Sequence, residues 1–176
     1  MNSRLSSMLA VMSHVDDFGA RRMDVAGRPG LARTLIILLT HSGDVLPVLV
    51  VLAVLLVWST PDWQARAVRL LIADAATFAL TQGLKFLIRR RRPDGEWGAF
   101  YRRIDPHSFP SGHAARGGAL GVMALLLGPW WLALIGLPWG IGLALSRVWM
   151  GVHYLSDSLI GFLIGAAVAV LVFTIS

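Results

Sequence analysis

A histidine and an aspartate four residues apart are the pair whose types and spacing could most directly do chemistry. They are His153 and Asp157, in the stretch SRVWMGVHYLSD that begins at Ser146. If the chain is helical from His153 onward, the two side chains share a face, and the carboxylate can accept a hydrogen bond from one imidazole nitrogen. The other nitrogen can then serve as a nucleophile or a base. The competing interpretation is a polar cluster that caps helices at a membrane surface, and this stretch alone does not separate the two.

Two earlier segments add cationic and hydrogen-bonding side chains. The segment KFLIRRRRP places six residues between Lys85 and the Arg-Pro pair at Arg92. The segment PSGH, which ends at His113, directly precedes an apolar run. Together with Ser-Arg, five residues, His, three residues and Asp in the first stretch, these segments resemble the signature of the type 2 phosphatidic acid phosphatase family. Each segment alone is a weak signal, but all three occur in order with no defining position missing.

Residue chemistry and the resemblance lead to the same expected site. Transfer of a phosphoryl group needs neutralised oxygens, an in-line nucleophile and a proton for the leaving oxygen. The groups expected to bind the phosphate are the side chains of Lys85, Arg92, Ser111 and Arg147 and the backbone N–H of Gly112 at a helix start. The expected catalytic residues are His153 as nucleophile, Asp157 as its orienting acid, and His113 as the group that protonates the leaving oxygen and later activates water. The resemblance also implies that neither a metal nor a cofactor takes part.

A further arginine, Arg116, follows His113 by three residues inside an apolar run. Members of the family more usually carry a small or hydroxyl residue there. An arginine within a membrane span faces a partner or a cavity. Arg116 could therefore pair with Asp74, or act as an accessory residue that contacts a second substrate phosphate, and the structural pair is the favoured interpretation.

Two other stretches of polar residues are interpreted as structural and not as part of the site. The run Arg89, Arg90 and Arg91 could contact lipid phosphate, but the favoured interpretation is a basic collar at the membrane surface. The segment HSGD, from His41 to Asp44, ends the apolar run before it, and His41 and His107 are interpreted as interfacial structure.

The composition indicates an integral membrane protein. Of 176 residues, 56% are hydrophobic and these occur in runs, with a mean hydropathy of +0.66. There is no cysteine, which excludes disulfides and thiol chemistry. The net charge is +6, but the basic residues lie between the apolar runs. We therefore expect a phosphorylated membrane lipid as substrate and membrane lipids as partners, and no nucleic acid; a homo-oligomer remains open.

The apolar runs predict an all-α fold, a polytopic membrane bundle of about five transmembrane helices. The expected spans are 45–59, 61–89, 112–128, 130–147 and 156–176, with Pro138 as a kink in the fourth. The N-terminal region 1–44 is expected to hold an amphipathic helix over 4–18, a loop, and an apolar segment over 31–39 that is interfacial or partly inserted. Residues 1–176 then form a single domain, in which 45–176 is the transmembrane bundle with the active site.

Small and polar residues within the spans predict how the helices pack. Three pairs of glycines four residues apart should let helices approach closely, namely Gly117 and Gly121, Gly136 and Gly140, and Gly161 and Gly165. On the second span, a stripe of polar side chains should face the bundle and not lipid, namely Asp74, Thr77, Thr81 and Lys85.

The order of the spans places the three segments on one membrane face. The second span ends at the lysine segment, the third begins at PSGH, and the fourth returns toward Arg147 and His153. The N-terminus is expected on that same side. Without the phosphate-binding residues, ten arginines lie in the tail and site-side loop, and two lie on the opposite side: Arg4, Arg21, Arg22, Arg28, Arg33, Arg89, Arg90, Arg91, Arg102 and Arg103 against Arg66 and Arg69. This asymmetry favours a cytoplasmic site in a bacterial inner membrane, although many bacterial relatives are thought to work on the outer face.

The expected function is hydrolysis of a lipid phosphate monoester or diphosphate through a phosphohistidine. By resemblance the substrates include phosphatidic acid, phosphatidylglycerol phosphate, polyprenyl phosphates or diphosphates, and phosphorylated lipid A. The alternatives are a lipid phosphotransferase and a non-enzymatic protein that binds or transports phospholipid. The same core resembles vanadium-dependent haloperoxidases, but those are soluble.

Overall fold

The fold consists of helices packed around a central one. The computed structural model describes residues 16, 30–94 and 105–175. Its helices, in chain order, are α1 Leu31–Ser42, α2 Val45–Trp58, α3 Pro61–Ile88, α4 Gly112–Leu127, α5 Trp130–Trp149 and α6 Leu155–Ile175. These residues contain no strand, and a single isolated bridge joins Arg91 to His107. The all-α architecture predicted from the sequence is confirmed.

Local sequence signals set the helix ends nearest the expected site. Helix α3 begins at Pro61, where the N–H that proline lacks would have had no helical partner. It ends because Arg89 adopts a left-handed conformation with φ of 51°, and its N–H donates to the carbonyl of Lys85. Helix α4 begins after Ser111, whose hydroxyl accepts a hydrogen bond from the N–H of Ala114. The two caps fix where α3 ends and α4 begins. They thereby set the positions of Lys85, in the last turn of α3, and of Ser111, directly before α4.

An apolar helix is present in each range where the sequence predicted a span, but not every one of these helices is long enough to cross a membrane alone. By length and composition, α3, α5 and α6 can each cross a membrane. Helices α1 and α2 pass the same test only together and meet at a bend of 57°, a geometry that fits either a broken fourth span or a re-entrant loop. The segment expected at 31–39 as interfacial or partly inserted lies in α1, the first helix of this bent pair. Helix α4, the expected third span, is apolar but has only 16 residues.

Close contacts between backbones place α4 at the centre of the bundle, against α3, α5 and α6. A Cβ atom added to Gly117 would lie 2.5 Å from the carbonyl oxygen of Gly140 on α5. A Cβ atom on Gly165 of α6 would overlap the carbonyl oxygen of Ala115. Because only glycine leaves room for such an approach, the predicted small-residue pairs do mark helix contacts.

The polar stripe of α3 also faces inward, as the sequence predicts. Asp74, Thr77, Thr81 and Lys85 are all buried. Phe78 and Phe86, on the same helix, are exposed and face outward. Lipid would penalise the four polar side chains, so this stripe fixes the rotation of α3 about its axis.

Some expectations lie outside the described residues. These are the amphipathic helix over 4–18 and the loop after it, apart from Asp16 and Gly30, and the part of the polar connection that covers 95–104. Pro138 lies within α5, and the helix continues on both sides of it.

Replacing Gly165 with alanine should destabilise the bundle. The added methyl group has no space against Ala115, so α6 must move away from α4. We expect the melting temperature of the detergent-solubilised protein to fall by about 5 °C or more. Gly83→Ala on α3 is the matched control, because a Cβ atom there meets nothing within 4 Å and alanine favours a helix. Equal melting temperatures for the two variants would contradict the close α4–α6 contact.

Candidate active site

The residues predicted from three separate segments meet at one end of the bundle. Arg92, after α3, donates from Nη1 to the carbonyl of Val152 at 2.9 Å and lies 2.9 Å from Nε2 of His153. The N–H of Ser111, before α4, donates to the carbonyl of Asp157 at 3.1 Å. These contacts join the ends of α3, α4 and α6, so the structure brings the three segments together on one face.

His153 is buried and oriented by backbone and cationic contacts. It is 3% exposed, and its N–H donates to the carbonyl of Arg147, which lies in the last turn of α5. Because Arg92 can only donate, Nε2 of His153 is the acceptor in their contact, which places the ring proton on Nδ1. Burial lowers the pKa of His153 well below its ordinary value of 6.5, and the charges of Arg92 and Arg147 act in the same direction. The ring is therefore neutral near pH 7, the state a nitrogen nucleophile needs.

The expected hydrogen bond between His153 and Asp157 is not formed. Nδ1 of His153 lies 3.7 Å from Oδ2 of Asp157, beyond hydrogen-bond distance, and it has no other hydrogen-bond partner in the described ranges. The reason is local: α6 begins at Leu155 and not at His153, so the pair lacks the assumed helical geometry. The Nδ1–H still faces the carboxylate, and a shift of less than 1 Å would bring the two within bonding distance.

The carboxylate of Asp157 is held by other groups. Its Oδ1 accepts from Nη1 of Arg90 at 2.7 Å, and its Oδ2 accepts from the N–H of Tyr154 at 3.0 Å. The same guanidinium of Arg90 donates to Ser156 at 2.7 Å and pairs with Asp16. Arg90 was assigned to a basic collar, and the structure shows instead that it anchors the acid beside His153. Nothing in the spacing of Arg90 could have indicated this, because its partner lies 67 residues away.

A third carboxylate lies where the substrate phosphate is expected. Asp105 pairs with Nζ of Lys85, and its Oδ2 accepts from Nη2 of Arg92 at 3.0 Å. Burial alone would raise the pKa of Asp105, but the hydrogen bond and charge of Lys85 outweigh it and hold the pKa of the carboxyl below its ordinary value. The side chain of Asp105 is one-third exposed. Lys85 and Arg92, both expected to bind the phosphate, are thus already arranged around a negatively charged group.

The start of α4 offers further donors for an anion. Ser111 caps the helix, and Gly112 is its first residue, so the N–H groups of this turn point out of the helix end. Nothing lies within 4 Å of the position that a Cβ atom of Gly112 would take. A ligand oxygen can therefore approach the backbone here.

His113 has a carboxylate partner that the sequence did not indicate. Nε2 of His113 lies 2.8 Å from Oδ1 of Asp44, and Oδ2 of Asp44 lies 2.8 Å from Nδ1 of His41. Asp44 lies at the bend between α1 and α2, in the HSGD segment, and no role was predicted for it. The carboxylate fixes the orientation of the His113 ring. A short HSGD break between apolar runs was the available signal, but its partner could not be inferred.

Arg116 forms the structural pair favoured from the sequence. Its Nε and Nη2 donate to the carboxylate of Asp74 at 2.7 and 3.3 Å, and its Nη1 donates to the carbonyl of Gly43 at 2.8 Å. Both side chains are buried. The pair joins α4 to α3 and to the bend that carries Asp44. In residues 30–94 and 105–175, no group of three histidine or acidic side chains is arranged to hold a metal ion.

Known proteins with similar sequences carry phosphatase names. A decaprenylphosphoryl-5-phosphoribose phosphatase of Mycobacterium tuberculosis is 39% identical over 112 residues, which are 58% of this chain and 58% of that protein. An undecaprenyl-diphosphatase of Sulfolobus acidocaldarius is 29% identical over 108 residues, which are 59% of this chain and 52% of that protein. In both comparisons the match spans little more than half the length of the relative.

A solved structure shows the same fold. The first transmembrane PAP2-type phosphatidylglycerolphosphate phosphatase from Bacillus subtilis superposes with a TM-score of 0.69 at 23% identity, covering 94% of this chain and 84% of that one. Independently, residues 66–176 match the PAP2 superfamily, a range that includes the lysine segment, PSGH and the His153 segment. This range is more than half of the sequence, and the chain therefore belongs to the PAP2 superfamily.

Proposed function

We propose that this protein is an integral membrane phosphatase that hydrolyses a lipid phosphate monoester through a phosphohistidine at His153. The observation that carries the proposal is the buried, neutral His153 ring, with Nε2 against Arg92 and Nδ1 toward Asp157. A histidine that served only to pack the bundle would not need three cations around it. The names of the two sequence relatives support a prenyl-linked lipid phosphate as the substrate class.

The first step transfers the phosphoryl group to the protein. Lys85, Arg92 and Arg147 neutralise the phosphate oxygens after Asp105 has given way, and the first turn of α4 adds backbone donors. Nε2 of His153 attacks phosphorus as the bond to the leaving oxygen breaks. Protonated His113 gives its proton to that oxygen, and the alcohol leaves. Asp157 stabilises the positive charge that develops on the His153 ring.

The second step returns the protein to its starting state. His113 is now neutral and accepts a proton from water as the water oxygen attacks phosphorus. The bond between phosphorus and Nε2 breaks, and inorganic phosphate leaves. Asp44 keeps the His113 ring in one orientation through both proton transfers, because one of its oxygens lies 2.8 Å from Nε2. Nδ1 is then the nitrogen that exchanges the proton.

We also propose that the site faces the cytoplasm of a bacterial inner membrane. Asp16 accepts from the N–H of Ser156 at 3.0 Å and pairs with Arg90, so the N-terminal segment reaches the site's side of the bundle. The proposal is supported by the ten arginines that the sequence places in the tail and the site-side loop, because an excess of positive residues favours the cytoplasmic face.

His153 should remain a neutral imidazole at about pH 6, where an ordinary histidine is mostly protonated. Its pKa lies below 6.5 in the folded protein, so lowering the pH to this point does not yet charge the ring. Nitrogen-15 NMR of histidine-labelled protein in micelles would show the state of the ring, with His153→Asn identifying its signal. An imidazolium signal from His153 at pH 6 would contradict the buried, cation-surrounded ring.

His153→Ala should lower phosphate release from a lipid phosphate by roughly a thousandfold or more, because no other group can take the phosphoryl group. Activity within tenfold of the unmodified protein would rule out the nucleophile. His107→Ala is the control, since His107 lies on the same side but bridges Arg91. Excess chelator should leave the unmodified protein active.

His113→Ala should separate the two steps. With a phenyl phosphate whose leaving group needs no protonation, the variant should accumulate acid-labile phosphohistidine, because water activation is lost. Rapid quench with phosphorus-32 substrate would measure it. Label found on an alcohol acceptor in place of inorganic phosphate would show a phosphotransferase. Binding of lipid phosphate without any turnover would show a binding protein.

The orientation can be tested with single cysteines, because the chain has none. Asp94 lies exposed on the site side, and Thr60 lies exposed at the opposite end of α3. In intact cells a membrane-impermeant thiol reagent should label Thr60→Cys and not Asp94→Cys. The reverse pattern would place the site outside.

A further inference from the structure

Asp16 is a buried acid that lies at the candidate active site but belongs to none of the three segments that form it. The residue is 6% exposed. Its Oδ1 accepts a hydrogen bond from the N–H of Ser156 at 3.0 Å, and its Oδ2 pairs with Nη2 of Arg90. Ser156 is the second residue of α6 and directly precedes Asp157. One carboxylate therefore holds both the start of α6 and the arginine that binds Asp157.

The guanidinium of Arg90 lies between two carboxylates. Its Nη1 donates to Oδ1 of Asp157 at 2.7 Å, while its Nη2 pairs with Asp16. Its flat face lies over the ring of Tyr154, with 4.0 Å between Cζ and the ring centroid. Its backbone carbonyl accepts from the N–H of Ser108 at 2.8 Å. Because the side chain is held at both nitrogens and on one face, Asp16 fixes the direction from which Arg90 reaches Asp157.

The charges of this group bear directly on His153. Arg90 and Asp157 alone would form a neutral pair, and the arginine would draw the negative charge of Asp157 away from the imidazole. With Asp16 present, two carboxylates share one guanidinium, so one net negative charge remains. Asp157 lies closest to the ring, with its Oδ2 3.7 Å from Nδ1 of His153. A ring that becomes positive when Nε2 bonds to phosphorus is stabilised by that charge.

Capping of α6 does not by itself account for an acid at this position. A helix cap needs only an oxygen that accepts from the first N–H groups, and asparagine or serine supplies one equally well. The cap is ordinarily the residue just before the helix, whereas Asp16 is 140 residues away from Ser156 in the sequence. A buried carboxylate also costs free energy unless a cation pairs with it. The charge of Asp16 therefore has a use that a cap alone does not require.

We propose that Asp16 is a positioning residue for the reaction. Through Arg90 it holds Asp157 in place and leaves it enough negative charge to stabilise the His153 ring while the phosphoryl group is transferred. Asp16 acts through Arg90 and Ser156 and not on the substrate itself. This role rests on the proposed phosphohistidine chemistry.

Asp16→Asn tests the charge separately from the cap, because the amide keeps an oxygen for the N–H of Ser156 and loses the negative charge. The substrate is phosphatidic acid or a prenyl phosphate, whichever the unmodified protein hydrolyses faster. We expect kcat for phosphate release to fall about tenfold or more. The KM should stay within about twofold, since the loss of a negative charge does not weaken the binding of an anion.

Asp94→Asn is the matched control. Asp94 pairs with Arg91, which belongs to the same arginine run as Arg90, but both side chains of this pair are exposed. An exposed ion pair contributes little, so kcat of this variant should change less than about twofold.

Vanadate inhibition supplies a readout that a merely structural role would not move. Vanadate bonded to Nε2 of His153 imitates the phosphoryl transition state and places positive charge on the ring, whereas inorganic phosphate binds the cations without that bond. In Asp16→Asn the inhibition constant of vanadate should therefore rise about tenfold, and that of inorganic phosphate should stay within about twofold.

The route through Arg90 is tested by the same change in an Arg90→Gln background. Asp157 has no guanidinium partner there, so the charge of Asp16 has nothing to balance. Asp16→Asn should then lower kcat by less than about twofold further. A loss as large as in the unmodified background would overturn the route through Arg90.

The outcomes separate the role of Asp16 from the proposed function. A kcat for Asp16→Asn within about threefold of that for Asp94→Asn would overturn the positioning role and leave the phosphatase standing. A fall in melting temperature of about 5 °C or more, with vanadate and phosphate weakened equally, would show a structural role and would also overturn it. No phosphate from either lipid with the unmodified protein would overturn the proposed function and the role of Asp16 with it.

Discussion

The concentration of buried positive charge at one end of an apolar bundle is the constraint on which the rest of the structure depends. Lys85, Arg92 and Arg147 are each at most 6% exposed. Charges removed from water are stable only when anions or hydrogen bonds compensate them. Asp105 provides that compensation for Lys85 and Arg92 and is one-third exposed. The cations of the site are thus already paired with a carboxylate, and we propose that a substrate phosphate takes the place of that carboxylate.

Carboxylates organise the site as much as the cations do. Asp157 lies beside His153, Asp44 contacts His113, and Asp74 holds Arg116. Each comes from a different helix or bend, so the catalytic end ties the whole bundle together. A buried ion pair adds little net stability on its own, but it fixes orientation. Packing between glycine-lined helices supplies the stability, and the ion pairs supply the geometry.

The sequence could predict those features of the fold that depend on the spacing of residues along one helix. The spans, the close glycine contacts and the inward stripe of α3 follow from spacing along one helix, and the family resemblance added the expected site residues. The roles of Asp44, Asp105 and Arg90 could not be predicted, because each depends on a partner between 20 and 69 residues away. The assumed helix through His153 was wrong for a related reason. The chain there turns through Gly151, which has φ of 63°, before α6 begins, and a motif spacing does not reveal such a turn.

The polar stripe of α3 connects the packing of a membrane helix to the candidate active site. Lipid excludes Asp74, Thr77 and Thr81, so they must face α4, and Asp74 needs Arg116 as its partner there. That pairing joins α3 to α4, and Arg116 also donates to the carbonyl of Gly43, next to Asp44 at the bend between α1 and α2. Asp44 in turn contacts His113. The inward rotation of α3 is thus linked, through Arg116 and the bend, to the orientation of the His113 ring.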